Sequence, residues 1–285
     1  MKYGFFPGCV LEGAAKEAFT ATTRVARELG IELVELPGWT CCGASHIQDV
    51  DETVALAINA RNIALAEQLN LPLLTVCNTC TLMLRKAKAE LDSGAKDKIN
   101  PILAKGGCEY KGTSEVTHLL WVIIKEYGLD KLRKKVVCPL TGLKVAGYYG
   151  CHILRPPQIM NFEDHARPQS LEMLITTLGA TSVEFDTKLK CCGFHAFFTA
   201  EKDVLQMTGE NNLSAITAGA DCMVTPCPLC QMQMDMYQPE GQKAVQTDKE
   251  IPVLHLAQLI GLALGIRPQE LGLHHHIVPL RVLGS

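Results

Sequence analysis

Short apolar runs alternate with helical stretches along the first third of the chain. Lys2–Phe6 and Ile31–Leu36 have the composition of strands, and Leu71–Val76 is a continuous apolar run typical of a buried parallel strand. This order of strand, loop and helix predicts an α/β unit with a mostly parallel sheet. Apolar residues spaced for one helical face follow each run, at 12–29, 50–69 and 81–91.

The second half of the chain repeats this pattern almost from end to end. The sequence therefore predicts an α/β fold of two tandem pseudo-symmetric repeats, residues 1–142 and 143–285, each with a mostly parallel sheet flanked by helices. Residues 92–111, rich in Lys, Gly and Asn, are expected to form a loop, and 128–142 a link. Strands are expected at 143–149, 181–185 and 221–225, and helices at 167–178 and 202–218.

Ten of the thirteen cysteines follow the same repeat. Each copy reads G-C…C-C-G…C-x-x-C, and 34 residues separate Cys42 from Cys77 and Cys192 from Cys227. The first gap differs, with 31 residues between Cys9 and Cys41 but eight more in the second copy. The first set is Cys9, Cys41, Cys42, Cys77 and Cys80, and the second is Cys151, Cys191, Cys192, Cys227 and Cys230.

The predicted strands place these cysteines at strand carboxyl ends, where ligands of open parallel sheets bind. Each following helix points its amino terminus at the same edge, which favours thiolate charge. A cubane [4Fe–4S] cluster needs four thiolates, and so does a structural zinc. Five cysteines are a surplus that favours an irregular, opened iron–sulfur cluster in each set, with zinc in one set as the alternative. Cys108, Cys138 and Cys222 fall outside the repeat and are expected to be buried small hydrophobes.

Composition and charge narrow the class of protein. A net charge of −3 without a dense basic run argues against nucleic-acid binding, and Lys131–Lys135 is expected to be a solvated helix end. The amino terminus lacks the apolar stretch of a signal peptide, so a cytoplasmic, reducing location is expected, where thiols serve metals or redox chemistry. Ile251–Ile266 is too short for a membrane span and is expected to be a core or docking helix.

Histidines also accompany the cysteine pairs. His46 and His195 come just after the two CCG turns and are candidate catalytic proton donors, because imidazole titrates near neutral pH. The alternative is that both are polar residues on helix-entry loops. His118 and His255 correspond in the repeat but lie far along the chain from the cysteines, and we expect a structural role for both.

The duplicated C…C-C-G…C-x-x-C arrangement resembles the CCG-domain family, and the layout of the whole chain is similar to the B subunit of heterodisulfide reductase from methanogenic archaea. The resemblance implies an enzyme subunit that reduces the coenzyme M–coenzyme B heterodisulfide to two thiols. Its cofactors would be two facing noncubane [4Fe–4S] clusters, each delivering one electron. Its partners would be the C subunit, which carries iron–sulfur clusters, together with the A subunit, which carries flavin and iron–sulfur clusters. The first five cysteines would hold one cluster and the second five the other.

A second role in the same family remains open. The chain has neither a ferredoxin cysteine run nor a dinucleotide-binding glycine motif, so it needs a donor protein for its electrons. Other family members serve hydroxy-acid or succinate/fumarate oxidoreductases, in which a CCG chain is an electron relay or a membrane-docking subunit. A zinc-bearing assembly module without catalysis is the third possibility.

Overall fold

The computed structural model describes residues 1–44 and 46–280. Eight strands lie within these residues, all of them short and parallel, and they form two four-stranded sheets with the orders β2-β1-β3-β4 and β6-β5-β7-β8. The first sheet consists of β1 (Lys2–Phe5), β2 (Glu32–Glu35), β3 (Leu73–Thr75) and β4 (Val116–His118). The second consists of β5 (Lys144–Gly147), β6 (Thr181–Val183), β7 (Cys222–Thr225) and β8 (Val253–His255).

Helices lie in the connections between successive strands, since parallel strands need long crossover connections. In the first half these are α1 (Cys9–Glu12), α2 (Lys16–Glu28), α3 (His46–Val50), α4 (Glu52–Gln68), α5 (Asn78–Glu90), α6 (Lys96–Ala104), α7 (Leu119–Trp121) and α8 (Leu129–Lys135). In the second half they are α9 (Ser170–Thr177), α10 (Glu201–Thr217), α11 (Pro228–Met236), α12 (Gln238–Ala244) and α13 (Leu256–Ala263). The expected α/β fold of two repeats, with cysteines near the strand ends, is confirmed.

The expectation of a loop at 92–111 is wrong for residues 92–104, whereas 105–111 are turns and irregular chain. A π-helical segment, Leu91–Ala95, joins α5 to α6, and the chain turns at Gly94, where φ is 119°. The apolar residues Ile99 and Leu103 lie on one face of α6 and are buried, which explains why polar composition did not prevent a helix.

The two halves share their hydrophobic cores. The α2 helix buries Ala18, Ala21 and Val25, and it packs against α13 from the other half of the chain. The second core likewise combines Phe6 of the first half with Tyr148 of the second. The boundary at 142/143 stays a prediction, and the apolar packing does not divide along it.

The longer second copy uses its extra residues to reach the first half. The segment 152–169 lies between β5 and α9, and we call it the arm. The ring of Phe162 stacks on Trp121 with centroids 5.1 Å apart and planes 10° apart. Arg85 donates from Nε to the carbonyl oxygen of Ile159 over 2.8 Å. The arm therefore covers part of the first half, and the two halves are not equivalent there.

Candidate functional site

The ten repeated cysteines lie at the carboxyl edges of the two sheets. Cys9 begins α1 just after β1, and Cys77 follows β3 as the residue before α5. Strand β1 pairs with both β2 and β3, so the chain leaves this sheet in opposite directions at that point. Such a switch point is where open α/β sheets bind ligands, because the loops diverge and leave a crevice.

Within the first set the thiols approach each other in pairs. The Sγ atoms of Cys41 and Cys9 are 3.4 Å apart, and those of Cys42 and Cys80 are also 3.4 Å apart. Cys9 is exposed, whereas Cys42, Cys77 and Cys80 are buried. We call this set the first nest. It has a covered floor of three thiols and an open side at Cys9.

The second set, which we call the second nest, repeats these contacts. Cys151 hydrogen-bonds to Cys191, and Cys192 hydrogen-bonds to Cys230. The Gly193 N–H donates to Cys191 Sγ over 3.3 Å, as the Gly43 N–H does to Cys41 over 3.5 Å in the first nest. All ten cysteines are free thiols, so no disulfide competes for them.

The two nests lie side by side. Cys77 Sγ and Cys227 Sγ are 3.8 Å apart although 150 residues separate them in the sequence. Asn78 also bridges the two halves along this line of contact, which we call the seam. Its side-chain Nδ2 donates to the Tyr149 carbonyl oxygen over 2.9 Å, and its backbone N–H donates to Cys227. The first cysteines of the two C-x-x-C motifs are therefore the point where the nests meet.

Glycine is required before the first cysteine of each nest. Gly8 and Gly150 have φ values of 77° and 70°, a region that favours glycine. A Cβ at Gly8 would lie 3.2 Å from Cys80 Sγ, and one at Gly150 would lie 3.1 Å from Cys230 Sγ. Both glycines thus let the chain pass close to the last thiol of the nest.

Buried asparagines fix the C-C-G turns. Asn59 of α4 donates from Nδ2 to the Cys42 carbonyl oxygen over 3.0 Å. In the second half, Asn211 of α10 donates to the Cys191 carbonyl oxygen over 3.1 Å. Each amide holds the turn that directs two adjacent cysteines toward one site. Neither residue was predicted from the sequence, and they are not at corresponding positions of the repeat, because Asn59 matches Gly209.

Hydrogen bonds within each nest make the thiols unequal. Donation from Cys42 and Cys9 lowers the pKa of Cys41, and donation from Cys151 and Cys192 lowers the pKa of Cys191. The pKa of Cys80 is raised, because Cys80 donates its hydrogen bonds to Cys42 and then to Cys77, and burial raises it further. Each nest therefore stabilises a thiolate at the first cysteine of its C-C-G turn, the form of cysteine that binds metals.

The donor set fits an iron–sulfur group. Every converging ligand is a free thiol, and soft sulfur ligands suit iron–sulfur clusters and zinc. The first nest encloses a cavity of about 110 Å³ whose walls include Cys9, Cys42, Cys77 and Cys80, with the apolar Phe194 beside them. Among residues 1–44 and 46–280, no three His, Cys, Asp or Glu side chains enclose a point suited to a single metal ion.

Three histidines gather beside the nests. The ring centroids of His46 and His195 are 5.6 Å apart, and those of His152 and His195 are 5.1 Å apart. The Thr79 hydroxyl lies 3.0 Å from His152 Nδ1 and 3.1 Å from His195 Nε2. Burial lowers the pKa of His152 and of His195. The sequence analysis did not predict His152 and Thr79 as site residues. Their positions next to Cys151 and Cys80 could have indicated them.

The three cysteines outside the repeat do not behave alike. Cys108 and Cys222 are buried, as expected, and burial raises the pKa of Cys222 to about 12. Cys138 is exposed, so the expectation of a buried small hydrophobe is wrong there. It lies in the link after α8, where the Val137 and Cys138 N–H groups donate to the Ala263 carbonyl oxygen and only the backbone is tied down.

Comparison with known proteins supports this interpretation of the nests. A model of the cysteine-rich CCG domain matches residues 3–85 and 145–235, which include all ten repeated cysteines. The chain belongs to the CCG family. Family membership and iron–sulfur relatives support bound iron–sulfur clusters in this CCG chain. None of the helices within 1–44 and 46–280 has the length and apolarity needed to cross a bilayer.

Relatives of two kinds are similar to the CCG chain over nearly its whole length. It is 53% identical to the 8-methylmenaquinol:fumarate reductase membrane anchor subunit of Wolinella succinogenes, over 99% of both chains. It is 37% identical to the B subunit of the ferredoxin:CoB-CoM heterodisulfide reductase of Methanosarcina mazei, over 97% of this chain and 94% of that one. Both relatives are named as subunits of reductases.

A solved structure shares the fold. The crystal structure of a hypothetical protein from Helicobacter pylori covers 98% of the CCG chain with a TM-score of 0.80 at 16% identity. The CCG chain spans about half, 52%, of that solved chain. At this identity the likeness shows the doubled α/β fold alone.

Proposed function

We propose that this chain is the iron–sulfur electron-transfer subunit of a quinol:fumarate reductase type of complex. The observation that carries the proposal is the meeting of two five-thiol nests at Cys77 and Cys227, 3.8 Å apart. A two-electron reaction needs two one-electron sites in close reach, and two adjacent nests would meet that need. The choice of complex is supported by 53% identity over 99% of both chains to the Wolinella fumarate reductase subunit.

In this proposal the ten repeated cysteines are the ligands of two noncubane [4Fe–4S] clusters, five for each nest. When bound, such clusters accept and pass single electrons. The chain's own residues prepare the nests for them. Asn59 and Asn211 orient the paired cysteines, and the buried floor of each nest excludes water. The exposed Cys9 marks the side from which a substrate or partner reaches the first nest.

His46 and His195 remain the proposed proton donors. His195 Nε2 reaches the Thr79 hydroxyl, and that hydroxyl reaches His152 Nδ1, so a continuous hydrogen-bonded line runs along the seam. His46 is exposed and its ring lies 5.6 Å from that of His195, between this line and solvent. In this proposal His46 would take up protons from solvent, and the line from His195 through Thr79 to His152 would hold them beside the nests.

Heterodisulfide reduction is the second candidate, supported by 37% identity over 94% of the Methanosarcina B subunit. In that case the substrate is the coenzyme M–coenzyme B disulfide, and the partners are the iron–sulfur C subunit together with the flavin-bearing A subunit. The same ten cysteines would hold the clusters. The two candidates differ in what binds at the open side of the first nest. In the fumarate reductase type of complex it is a quinol-linked electron path, and in the heterodisulfide reductase it is a sulfur substrate.

Anaerobic purification of the chain with its partner subunits tests the proposal. We expect about eight iron atoms and eight sulfides per chain, four of each per cluster. Cys41→Ser should lower the iron content, whereas Cys138→Ser, an exposed cysteine outside the nests, should leave it unchanged. Zinc without iron or sulfide would refute both candidates.

Two activity assays separate the candidates. We expect quinol oxidation coupled to fumarate reduction, with no thiols released from the mixed disulfide under a reduced dye. Thiol release without quinol-dependent fumarate reduction would instead establish the heterodisulfide reductase. Loss of the first activity in Cys41→Ser but not in Cys138→Ser would tie it to the nests.

A further inference from the structure

Two fully buried histidines occupy matching positions at the ends of the two sheets. His118 is the last residue of β4, and His255 is the last residue of β8. Both have no solvent exposure, and each begins the helix that follows its strand. A buried imidazole must satisfy both ring nitrogens, so the partners of each nitrogen define its role.

One nitrogen of each ring caps a helix. His118 Nδ1 accepts from the Leu120 N–H over 3.0 Å, and His255 Nδ1 accepts from the Ala257 N–H over 3.3 Å. An accepting Nδ1 carries no proton, so the proton of the neutral ring is on Nε2. Burial lowers the pKa of His118 to about 3 and that of His255 to about 4, which keeps both rings neutral.

The other nitrogen of each ring donates to the opposite half of the chain. His118 Nε2 is 3.1 Å from the carbonyl oxygen of Pro226, the residue before Cys227. His255 Nε2 is 3.3 Å from the carbonyl oxygen of Val76, the residue before Cys77. These two hydrogen bonds cross between the halves. Each ring also faces the matching carbonyl of its own half, Val76 for His118 and Pro226 for His255, so each histidine lies between the two C-x-x-C loops.

We infer that His118 and His255 are reciprocal positioning residues that set the separation of the two nests. Each fixes the backbone directly before the cysteine at the meeting point, so together they hold Cys77 and Cys227 at contact distance. The inference rests on the proposed role of these cysteines as cluster ligands, but the two crossing bonds are features of the fold alone.

Side-chain substitutions can separate capping from crossing. In His118→Asn the amide oxygen lies near the position of Nδ1, so the helix cap is kept while the donor to Pro226 is lost. In His118→Gln the amide nitrogen lies near the position of Nε2, so the crossing donor is kept while the cap is lost. The same pair of changes at His255 serves as the mirror test against Val76.

Amide hydrogen exchange of the cluster-loaded full chain gives the readout. His118→Asn should speed exchange about tenfold in residues 227–232 of the opposite half, as expected for loss of one buried hydrogen bond, and speed it much less in 77–82. His255→Asn should do the reverse. The Gln variants should restore the opposite loop and instead speed exchange at 119–121 or 256–258.

Electron paramagnetic resonance of the reduced protein supplies a second readout. Since the perturbed loop belongs to the other nest, His118→Asn should alter the signal that Cys227→Ser alters, not the signal that Cys77→Ser alters. Exchange that accelerates in the mutated half, or equally in both loops, would overturn the inference. If the chain lacked iron, the exchange pattern would still decide it, so the two proposals can fail separately.

Discussion

Replacing Gly8 with alanine measures how closely the chain must pass the first nest. Gly8 has a φ of 77°, and a Cβ there would lie 3.2 Å from Cys80 Sγ. Gly30 has a φ of 69°, but no atom of the described residues lies within 4 Å of its Cβ position. Alanine at either site adopts a left-handed backbone at a cost of about 1–2 kcal/mol. Only Gly8→Ala must also displace a cysteine sulfur.

The difference between the two variants isolates the contact with the sulfur. Gly30→Ala should lower the free energy of unfolding by about 1–2 kcal/mol, and Gly8→Ala by about 2–4 kcal/mol because overpacking adds to the backbone cost. Thermal unfolding of the anaerobic protein ranks them. Iron and sulfide per chain should fall in Gly8→Ala alone. Equal stability losses with full iron content in both variants would refute the idea that the glycine is needed for the nest.

Two further changes probe the support of the nests and the carboxyl-terminal segment. Asn59→Ala leaves the Cys42 carbonyl oxygen without its donor, so it should lower the free energy of unfolding by about 1–3 kcal/mol and also lower the iron content. The control is Asn212→Ala, which loses a hydrogen bond to the Met234 carbonyl oxygen. It should lower the free energy of unfolding by as much but keep the iron. Burial raises the pKa of Asp235 to about 6, above its ordinary value, so its contribution to stability is complete at low pH and is lost as pH rises through 6. Asp235→Asn should therefore reduce the rise in melting temperature that the unchanged protein shows from pH 7 to pH 4. The corresponding change in the free energy of unfolding is at most about 3 kcal/mol. A variant with the same pH profile as the unchanged protein would contradict this role of Asp235.

The repeat and its spacing were sufficient to predict the sheets and the grouping of the cysteines. Strand ends in a parallel sheet meet at one edge, so Cys9, Cys41 and Cys77 could be brought together without coordinates. Helix boundaries were also close, since the helix expected at 50–69 is observed at Glu52–Gln68. Local periodicity carries this information because each helix buries one face.

The contacts between the two halves could not be predicted from the sequence. His118 and His255 were expected to be structural because they are distant from the cysteines along the chain, yet both rings bond to the residue before a nest cysteine. Likewise, the positions of His152 and Thr79 next to repeated cysteines did not by themselves indicate that both would contact His195. Such pairings depend on how one half faces the other, and a repeat unit by itself does not encode that orientation.

The arm makes the two halves of the duplicated chain structurally different. Three residues after His118 stands Trp121, whose ring is covered by Phe162 of the arm. Three residues after His255 stands Gln258, whose amide instead bonds His276 and the Leu271 carbonyl oxygen near the carboxyl terminus. Equivalent positions have thus diverged to suit different neighbours. A chain built from two copies of the first repeat would lack the arm and would leave the Trp121 ring without Phe162. The doubled fold can no longer be treated as a dimer of identical parts, and whatever binds it meets two distinguishable faces.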